Sequence, residues 1–264
     1  MSTVMTARGA TTTAAGRMRT LARAELTLLG RGKGTLFTAV VVPLALPFTV
    51  RSSMDGMDLK AAGLSMGSVL LPSAIGFSLL FAVYSTLVGV YVARREELVL
   101  KRLRTGELRD AEILAGAALP AVTVAVVQSC VLVAASAALL GVGAPRSPQL
   151  VVLGLLLGLV MWPALAAVTA GLSKSVESAQ VAVMPLLLLS LAGSGTVVPL
   201  ELLPDRLALV CESLPLTPVI TLLRGGWTGN LSAYDALGAA ATAVAWTVLA
   251  VFAVRRWFRW EPRR

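Results

Sequence analysis

Histidine is missing from this chain of 264 residues, and cysteine occurs only twice. Histidine is the side chain whose ordinary pKa lies closest to neutrality, and it serves both as a general base and as a metal ligand. Its absence excludes Ser–His triads, histidine metal sites and most general-base chemistry at neutral pH. Cys130 and Cys211 lie in segments of different character, which does not support a disulfide framework. We interpret both as small apolar residues and predict no metal site.

Charge is scarce as well. Only 14% of the residues are charged and 56% are hydrophobic, with a mean hydropathy of +0.81. An average soluble domain has about 25% charged and about 45–50% apolar residues. The composition therefore excludes a disordered chain, argues against a soluble domain and predicts an all-α polytopic membrane protein. The net charge of +9 does not indicate nucleic-acid binding, because in a membrane protein the position of basic residues matters more than their sum.

Residues 1–264 are predicted to form a single transmembrane domain with six spanning helices, at about 35–50, 66–92, 112–141, 150–172, 180–198 and 233–254. A span needs about 20 apolar residues to cross ~30 Å of hydrocarbon. The first segment is short, and we expect its flanking basic residues to snorkel. Residues 1–34 are predicted to be a cytoplasmic lead-in with an amphipathic helix between Ala14 and Gly30; a loosely structured basic segment is the alternative. No cleavable signal peptide is expected so far ahead of the first apolar segment.

The basic residues are distributed unevenly between the two sides of the predicted spans. Lys and Arg number six in the N-terminal segment, six between the second and third spans, one between the fourth and fifth, and five at the C-terminus. The other three loops hold two, one and two. The positive-inside rule then places both termini in the cytoplasm. A composition rich in Ala, Val, Arg and Gly suits a high-GC bacterium, so the predicted location is the bacterial plasma membrane.

The loop after the second span, ARREELVLKRLRTGELRDAEILAG over 93–116, is unusual because it is acidic as well as basic. The positive-inside rule requires no acidic residues, yet five of the 14 acids of the chain lie here: Glu96, Glu97, Glu107, Asp110 and Glu112. Leu98, Val99 and Leu103 give a short helix an apolar edge, Gly106 is expected to end it, and Asp110 is expected to cap the next helix. The pattern predicts a rigid helix at the membrane surface that docks a cytoplasmic partner; a solvated elbow without a partner is the alternative.

The loop before the last span is interrupted by Pro199, Pro204, Pro215 and Pro218, and the pieces between these prolines stay apolar. None of the pieces is long enough to cross a membrane. The pattern predicts short re-entrant or interfacial helices buried against the protein, with a purely structural external cap as the alternative.

Several kinds of chemistry are missing. No GxxxxGK[ST] phosphate loop occurs, and the spans contain no clearly central Asp, Glu, Lys or Arg, which argues against an ion-coupled carrier. Gly193-Ser194-Gly195 lacks the histidine that would activate the serine. Gln128 is the exception among strong hydrogen-bonding residues in the spans. It is expected either to contact substrate in a translocation path or to bridge helices.

The order of these features resembles the type-2 family of ATP-binding-cassette (ABC) exporter permeases over nearly the whole chain. The most specific segments are RREELVLKRLRTGELRDAEILAG and GTVVPLELLP…LPLTP. Members of this family tend to have a Gly-Thr pair after a glutamate of the first segment and a proline after its Leu-Arg turn. Here Leu98 and Val99 follow Glu97, and Gly106 occupies the turn.

The resemblance implies a dimer, with a second copy or a close homologue, that works with separate cytoplasmic ATPase subunits binding ATP-Mg. This chain would then bind no cofactor and would not be an enzyme by itself. The residues that would couple it to the ATPase are Arg94, Arg95, Glu96, Glu97, Lys101, Arg102, Arg104 and Glu107. The re-entrant element would be formed by residues including Pro199, Glu201, Pro204, Pro215 and Pro218.

The predicted function is export of a hydrophobic or amphipathic substrate, such as a drug, an antibiotic or another natural product, by alternating access. The apolar spans favour this substrate class, since a glycan path is expected to offer more aromatic faces. Export of polysaccharide or lipid is the next alternative. A non-transporting membrane scaffold or immunity protein is a third, and it predicts no ATPase partner. A channel is disfavoured by the lack of polar rings.

Overall fold

The computed structural model describes residues 66–105, 108–140, 142–195, 204–258 and 260–261. In the predicted N-terminal amphipathic helix it describes only Gly16, Thr20, Arg23 and Thr27, all four helical and exposed. The predicted span 35–50 lies outside the described residues.

The described residues form helices and no strand, as the composition predicts. A first long helix consists of α1 (Met66–Ser78), a π-helical segment (Leu79–Ser85) and α2 (Thr86–Glu96), and its candidate spanning part is Val69–Glu96. The other helices are α3 (Val99–Arg104), α4 (Asp110–Leu140), α5 (Pro148–Leu172), α6 (Val176–Gly193), α7 (Asp205–Glu212), α8 (Thr217–Thr228) and α9 (Ala233–Trp257).

Five of these helices are long and apolar enough to span a membrane: Val69–Glu96, Asp110–Ala138, Pro148–Leu172, Val176–Gly193 and Ala233–Trp257. They correspond to five of the six predicted spans. The largest difference is at α6, which starts at Val176 rather than at 180. The reason is a capping box, in which the Ser175 side chain accepts from the Ser178 amide and Ser178 Oγ accepts from the Ser175 amide.

α5 lies at the centre of the molecule, in contact with the first long helix, α8 and α9. Its Gly154 and Gly158 form a small-xxx-small pattern that lets neighbouring helices approach closely. A Cβ atom added at Gly154 would lie 3.0 Å from Leu222 Cβ and 3.3 Å from the Val219 carbonyl oxygen. The same close approach recurs on α8, where a Cβ at Gly226 would lie 3.0 Å from the Val151 amide nitrogen.

Contacts between helix ends decide how the pair α7 and α8 is placed. α6 starts beside Arg95, at the end of the bundle that carries α3, because Arg95 donates to the carbonyls of Ser173 and Lys174 just ahead of α6. α9 returns to this end, where Phe258 packs on Gly171. The connection between α6 and α9 therefore starts and finishes at the opposite end. There the Ser147 amide donates to the Gly226 carbonyl at 2.9 Å, next to the start of α5.

α7 and α8 meet at an angle of 93° and form a re-entrant element, which confirms this part of the predicted architecture. The Trp246 indole N–H donates to the Ser213 carbonyl at 2.8 Å, so the elbow reaches a point near the middle of α9. Pro215 and Pro218 are buried beside the elbow, and Pro204 is exposed at the start of α7. Pro199 and Glu201 lie outside the described residues.

Candidate functional site

The candidate site is the elbow between α2 and α3 together with α3 itself. α2 ends at Glu96, and Leu98 adopts a left-handed conformation with φ 59° and ψ 14° before α3 starts. Glycine is the residue that adopts this conformation without a steric penalty. Leu98 occupies the position at which the exporter permeases that this chain resembles tend to have a glycine. It is the only non-glycine residue with a positive φ in the described part of the chain.

Arg95 differs from the other predicted coupling residues because it is fully buried. Its Nη1 donates to the Ala170 carbonyl at 2.9 Å, and its Nη2 donates to the Ser173 carbonyl at 2.6 Å. These acceptors are carbonyls at and just beyond the end of α5, where the helix dipole has its negative end, and the Ala170 carbonyl also accepts from the Ser173 amide at 3.3 Å. Arg95 therefore fastens the end of α2 to the end of α5 and does not face a partner protein.

The remaining predicted coupling residues lie at the surface. Glu96, Glu97, Lys101, Arg102 and Arg104 are exposed, and Arg94 is half-buried. Glu107, like Gly106, lies outside the described residues.

Two of the predicted coupling residues on α3 form ion pairs with other described residues. Lys101 Nζ lies 2.8 Å from Glu261 Oε1, and Arg104 Nε lies 3.0 Å from Asp110 Oδ1. Asp110 is the first residue of α4 and not its N-cap. The cap is Arg109, whose carbonyl accepts from the Ile113 amide and whose amide donates to Glu112 Oε2. The expectation that Asp110 caps α4 is thus corrected by one residue.

Two residues near the C-terminus belong to this site and were missed by the sequence analysis. The guanidinium carbon of Arg104 lies 5.1 Å from the centre of the Trp260 ring, within the range of a cation–π interaction. Glu261 pairs with Lys101, whose hydrogen bond and positive charge hold the pKa of Glu261 below its ordinary value. The segment RWFRW at 256–260 reads as an interfacial belt of aromatic and basic residues, and no local signal links it to α3.

A second arginine caps a helix at the other end of the bundle. Arg224 of α8 is half-buried, and its Nη2 donates to the Gly195 carbonyl at 2.9 Å, just beyond the end of α6. Arg95 and Arg224 therefore have the same structural role at opposite ends of the bundle, because each donates to carbonyls at or just beyond the C-terminal end of a helix.

Buried polar contacts flank the π-helical segment in the first long helix. Ser78 Oγ donates to Gln128 Oε1 at 2.5 Å, so Gln128, fully buried on α4, bridges two helices. At the other end the Tyr84 hydroxyl lies 3.0 Å from Thr169 Oγ1 of α5. This contact is compatible with the bridging role, and the predicted contact with substrate stays a prediction.

In the described part of the chain, no group of three or more His, Cys, Asp or Glu side chains could hold a metal ion. What the site offers is a short charged helix at one end of a spanning bundle. A family model for ABC-2 type transporters matches residues 17–227. The chain belongs to the ABC-2 type transporter family. The match includes all the predicted coupling residues and ends before α9, and no curated protein matches the sequence.

Family membership identifies this ABC-2 chain as a multi-pass membrane permease of an ABC transporter and not as its catalytic ATPase. ABC-2 permeases work with an ATPase partner.

Proposed function

We propose that this permease is the membrane subunit of an ATP-driven exporter. In this proposal α3 is the helix that a cytoplasmic ATPase contacts and displaces when it changes conformation. The observation that carries the proposal is the attachment of α3 to the bundle. α3 is exposed and charged, while the helix that leads into it is fixed by the buried guanidinium of Arg95 to the end of α5. A helix fastened in this way transmits a displacement instead of absorbing it.

The proposed mechanism is alternating access in a dimer of permeases with two ATPase subunits. When the ATPases bind ATP-Mg and close, they would push α3, and Arg95 would carry the displacement to α5, which contacts α8 and α9. In this mechanism the residues of the permease bind the ATPase and hold α3 in position, and the partner hydrolyses ATP. Arg94, Glu96, Glu97, Arg102 and Glu107 remain proposed contacts of the ATPase.

The proposed orientation has both termini in the cytoplasm of a bacterial cell. Its support is the excess of Lys and Arg in the alternate loops that include the one containing α3. The contact between Lys101 and Glu261 is consistent with this assignment, because it requires the C-terminus and α3 to lie at the same end of the bundle.

The proposed substrate is hydrophobic or amphipathic, such as a drug, an antibiotic or another natural product. The spanning helices are built mainly from Leu, Val and Ala, and aromatic residues make up only 5% of the chain. A polysaccharide would be held better by stacked aromatic faces, which this composition scarcely offers.

The test is co-purification of the tagged permease from cells that co-express its genomic neighbours, followed by a vanadate-sensitive ATPase assay and by stimulation with candidate compounds. We expect a stoichiometric complex with the wild-type chain and loss of the complex in Glu96→Lys/Glu97→Lys. Asn230→Lys, at an exposed polar position at the end of the bundle opposite to α3, is the control for added charge and should leave the complex intact. A wild-type chain that binds no ATPase would contradict the proposal and support the scaffold or immunity alternative.

A further inference from the structure

The last described residues of the chain lie against the side of α3 that carries Lys101 and Arg104. Glu261 contacts Lys101 at 2.8 Å, and the Trp260 ring lies under the guanidinium of Arg104. Trp260 packs edge-on against Phe258, with ring centres 5.0 Å apart. Phe258 in turn lies on α5, where its Cδ2 is 3.5 Å from the Cβ position of Gly171. A continuous line of contacts thus joins α3 to the bundle through the C-terminal segment.

This segment is a short tether. α9 ends at Trp257, and the Phe258 amide still donates to the Val254 carbonyl at 2.9 Å. Few residues separate that last turn from Trp260, and three residues of extended chain reach at most about 10 Å. A movement of α3 away from α9 must therefore either break the contacts of Trp260 and Glu261 or pull on α9.

The two sides of α3 are not equivalent. Lys101 is paired with Glu261, and Arg104 is held by both Asp110 and Trp260. Glu96, Glu97 and Arg102 are exposed, and no described residue forms an ion pair with any of the three. Of the predicted coupling residues that the structure describes as exposed, those that remain for a partner are thus two carboxylates and one guanidinium, beside the exposed Leu98.

We propose that Trp260 and Glu261 clamp α3 to α9 through their contacts with Arg104 and Lys101. Lys101 and Arg104 then position α3, and the residues that contact the ATPase are Glu96, Glu97 and Arg102. The clamp gives α3 a second route into the bundle, directly to the last spanning helix, in addition to the route through Arg95. The assignment of the partner-facing side rests on the proposed function, whereas the clamp itself does not.

The clamp is tested on the wild-type permease with a water-soluble carbodiimide, which joins an amine and a carboxylate in contact without a spacer. The expected product is an amide between Lys101 and Glu261, identified by mass spectrometry of the digested chain. Lys101→Arg keeps the charge but offers no amine, so the product should vanish while other cross-links remain. Absence of the Lys101–Glu261 product from the wild type would overturn the clamp, and so would its loss when the ATPase is bound.

The partition of charges is tested with Lys101→Glu, Glu261→Lys and the combined swap, measuring ATPase binding and export separately. Each single reversal should lower export several-fold with ATPase binding retained, and the swap should restore export. Arg102→Glu should weaken ATPase binding and leave the carbodiimide product unchanged. If Lys101→Glu abolishes ATPase binding and the swap does not rescue it, Lys101 is a partner contact and the partition is wrong. A chain that forms the product but binds no ATPase would retain the clamp and refute the proposed function.

Discussion

At the scale of single residues, the backbone of Leu98 is strained and yet exposed. The left-handed conformation costs a non-glycine residue about 1–2 kcal/mol, and Leu98, which is 39% exposed, still covers part of its side chain against the protein. Leu98→Gly and Leu98→Ala both lose this contact, but only glycine relieves the backbone, so the free energy of unfolding of Leu98→Gly should exceed that of Leu98→Ala by about 1 kcal/mol after the extra entropy of glycine in the unfolded chain is subtracted. Thermal unfolding in detergent measures it. Leu98→Ala is the control and should give no gain, because alanine keeps the Cβ atom.

Arg95 is the single residue whose loss should do most damage at the elbow. Arg95→Met leaves the buried Ser173 carbonyl without its guanidinium donor, which costs about 1–3 kcal/mol. The Ala170 carbonyl loses one donor as well but keeps the Ser173 amide. Arg95→Lys should recover only part of the loss, since an ammonium group does not reproduce the two-pronged geometry of a guanidinium. Arg102→Met, at an exposed position on α3, should change stability by no more than about 0.5 kcal/mol. Equal losses in Arg95→Met and Arg102→Met would contradict the capping role.

At the scale of elements, α8 and the start of α5 approach each other closely. A Cβ at Gly226 would meet the Val151 amide nitrogen at 3.0 Å and the Ser147 carbonyl oxygen at 3.1 Å, and neither backbone atom moves easily. Gly226→Ala should therefore cost about 1–3 kcal/mol through overpacking. Gly238→Ala on α9, where nothing lies within 4 Å of the added methyl group, should stabilise the helix by about 0.5–1 kcal/mol. Thermal unfolding would establish the close approach if Gly226→Ala lowers the free energy of unfolding and Gly238→Ala raises it.

The sequence predicts the elements better than it predicts the contacts between them. The spans are recognisable because a long apolar segment is a local signal, and the re-entrant element because prolines interrupt an apolar loop. The role of Arg95 is not recognisable, since its acceptors at Ala170 and Ser173 lie far along the chain and are backbone atoms with no signature. The arginine stands among other basic residues that the positive-inside rule already explains. Contact of Trp260 with Arg104 is hidden for the same reason.

At the scale of the whole molecule, the ion pair that joins the C-terminal segment to α3 should respond to pH. Because Lys101 lowers the pKa of Glu261, the contact is fully formed above the ordinary pKa of a glutamate and is lost as the pH falls through the lowered value. Incorporating fluorotryptophan labels the five tryptophans of the chain for 19F NMR, and the resonance that is missing in Trp260→Phe belongs to Trp260. We expect the chemical shift of this resonance to be constant near neutral pH and to change in acid. Glu261→Gln should remove the transition, and added salt should weaken the contact, since both partners are exposed.

The re-entrant placement of α7 and α8 has a consequence for which loops share a side of the membrane. Between Thr105 and Asn230 the chain crosses three times, through α4, α5 and α6, if the bent pair returns to the side from which it entered. If the pair were a broken span there would be a fourth crossing, and both positions would lie on the same side. Cysteines at these exposed positions, introduced one at a time as Thr105→Cys and Asn230→Cys with Cys130 and Cys211 replaced by serine, distinguish the two cases.

In intact cells, a membrane-impermeant maleimide should label the cysteine of Asn230→Cys and should reach that of Thr105→Cys only after lysis. Labelling of both from outside, or of neither before lysis, would contradict the re-entrant placement. Labelling of Thr105→Cys alone from outside would keep that placement but reverse the orientation, and α3 would then face away from any cytoplasmic ATPase. The positive-inside rule makes this reversal unfavourable, because six basic residues in the loop that carries α3 and five at the C-terminus would have to lie outside the cell.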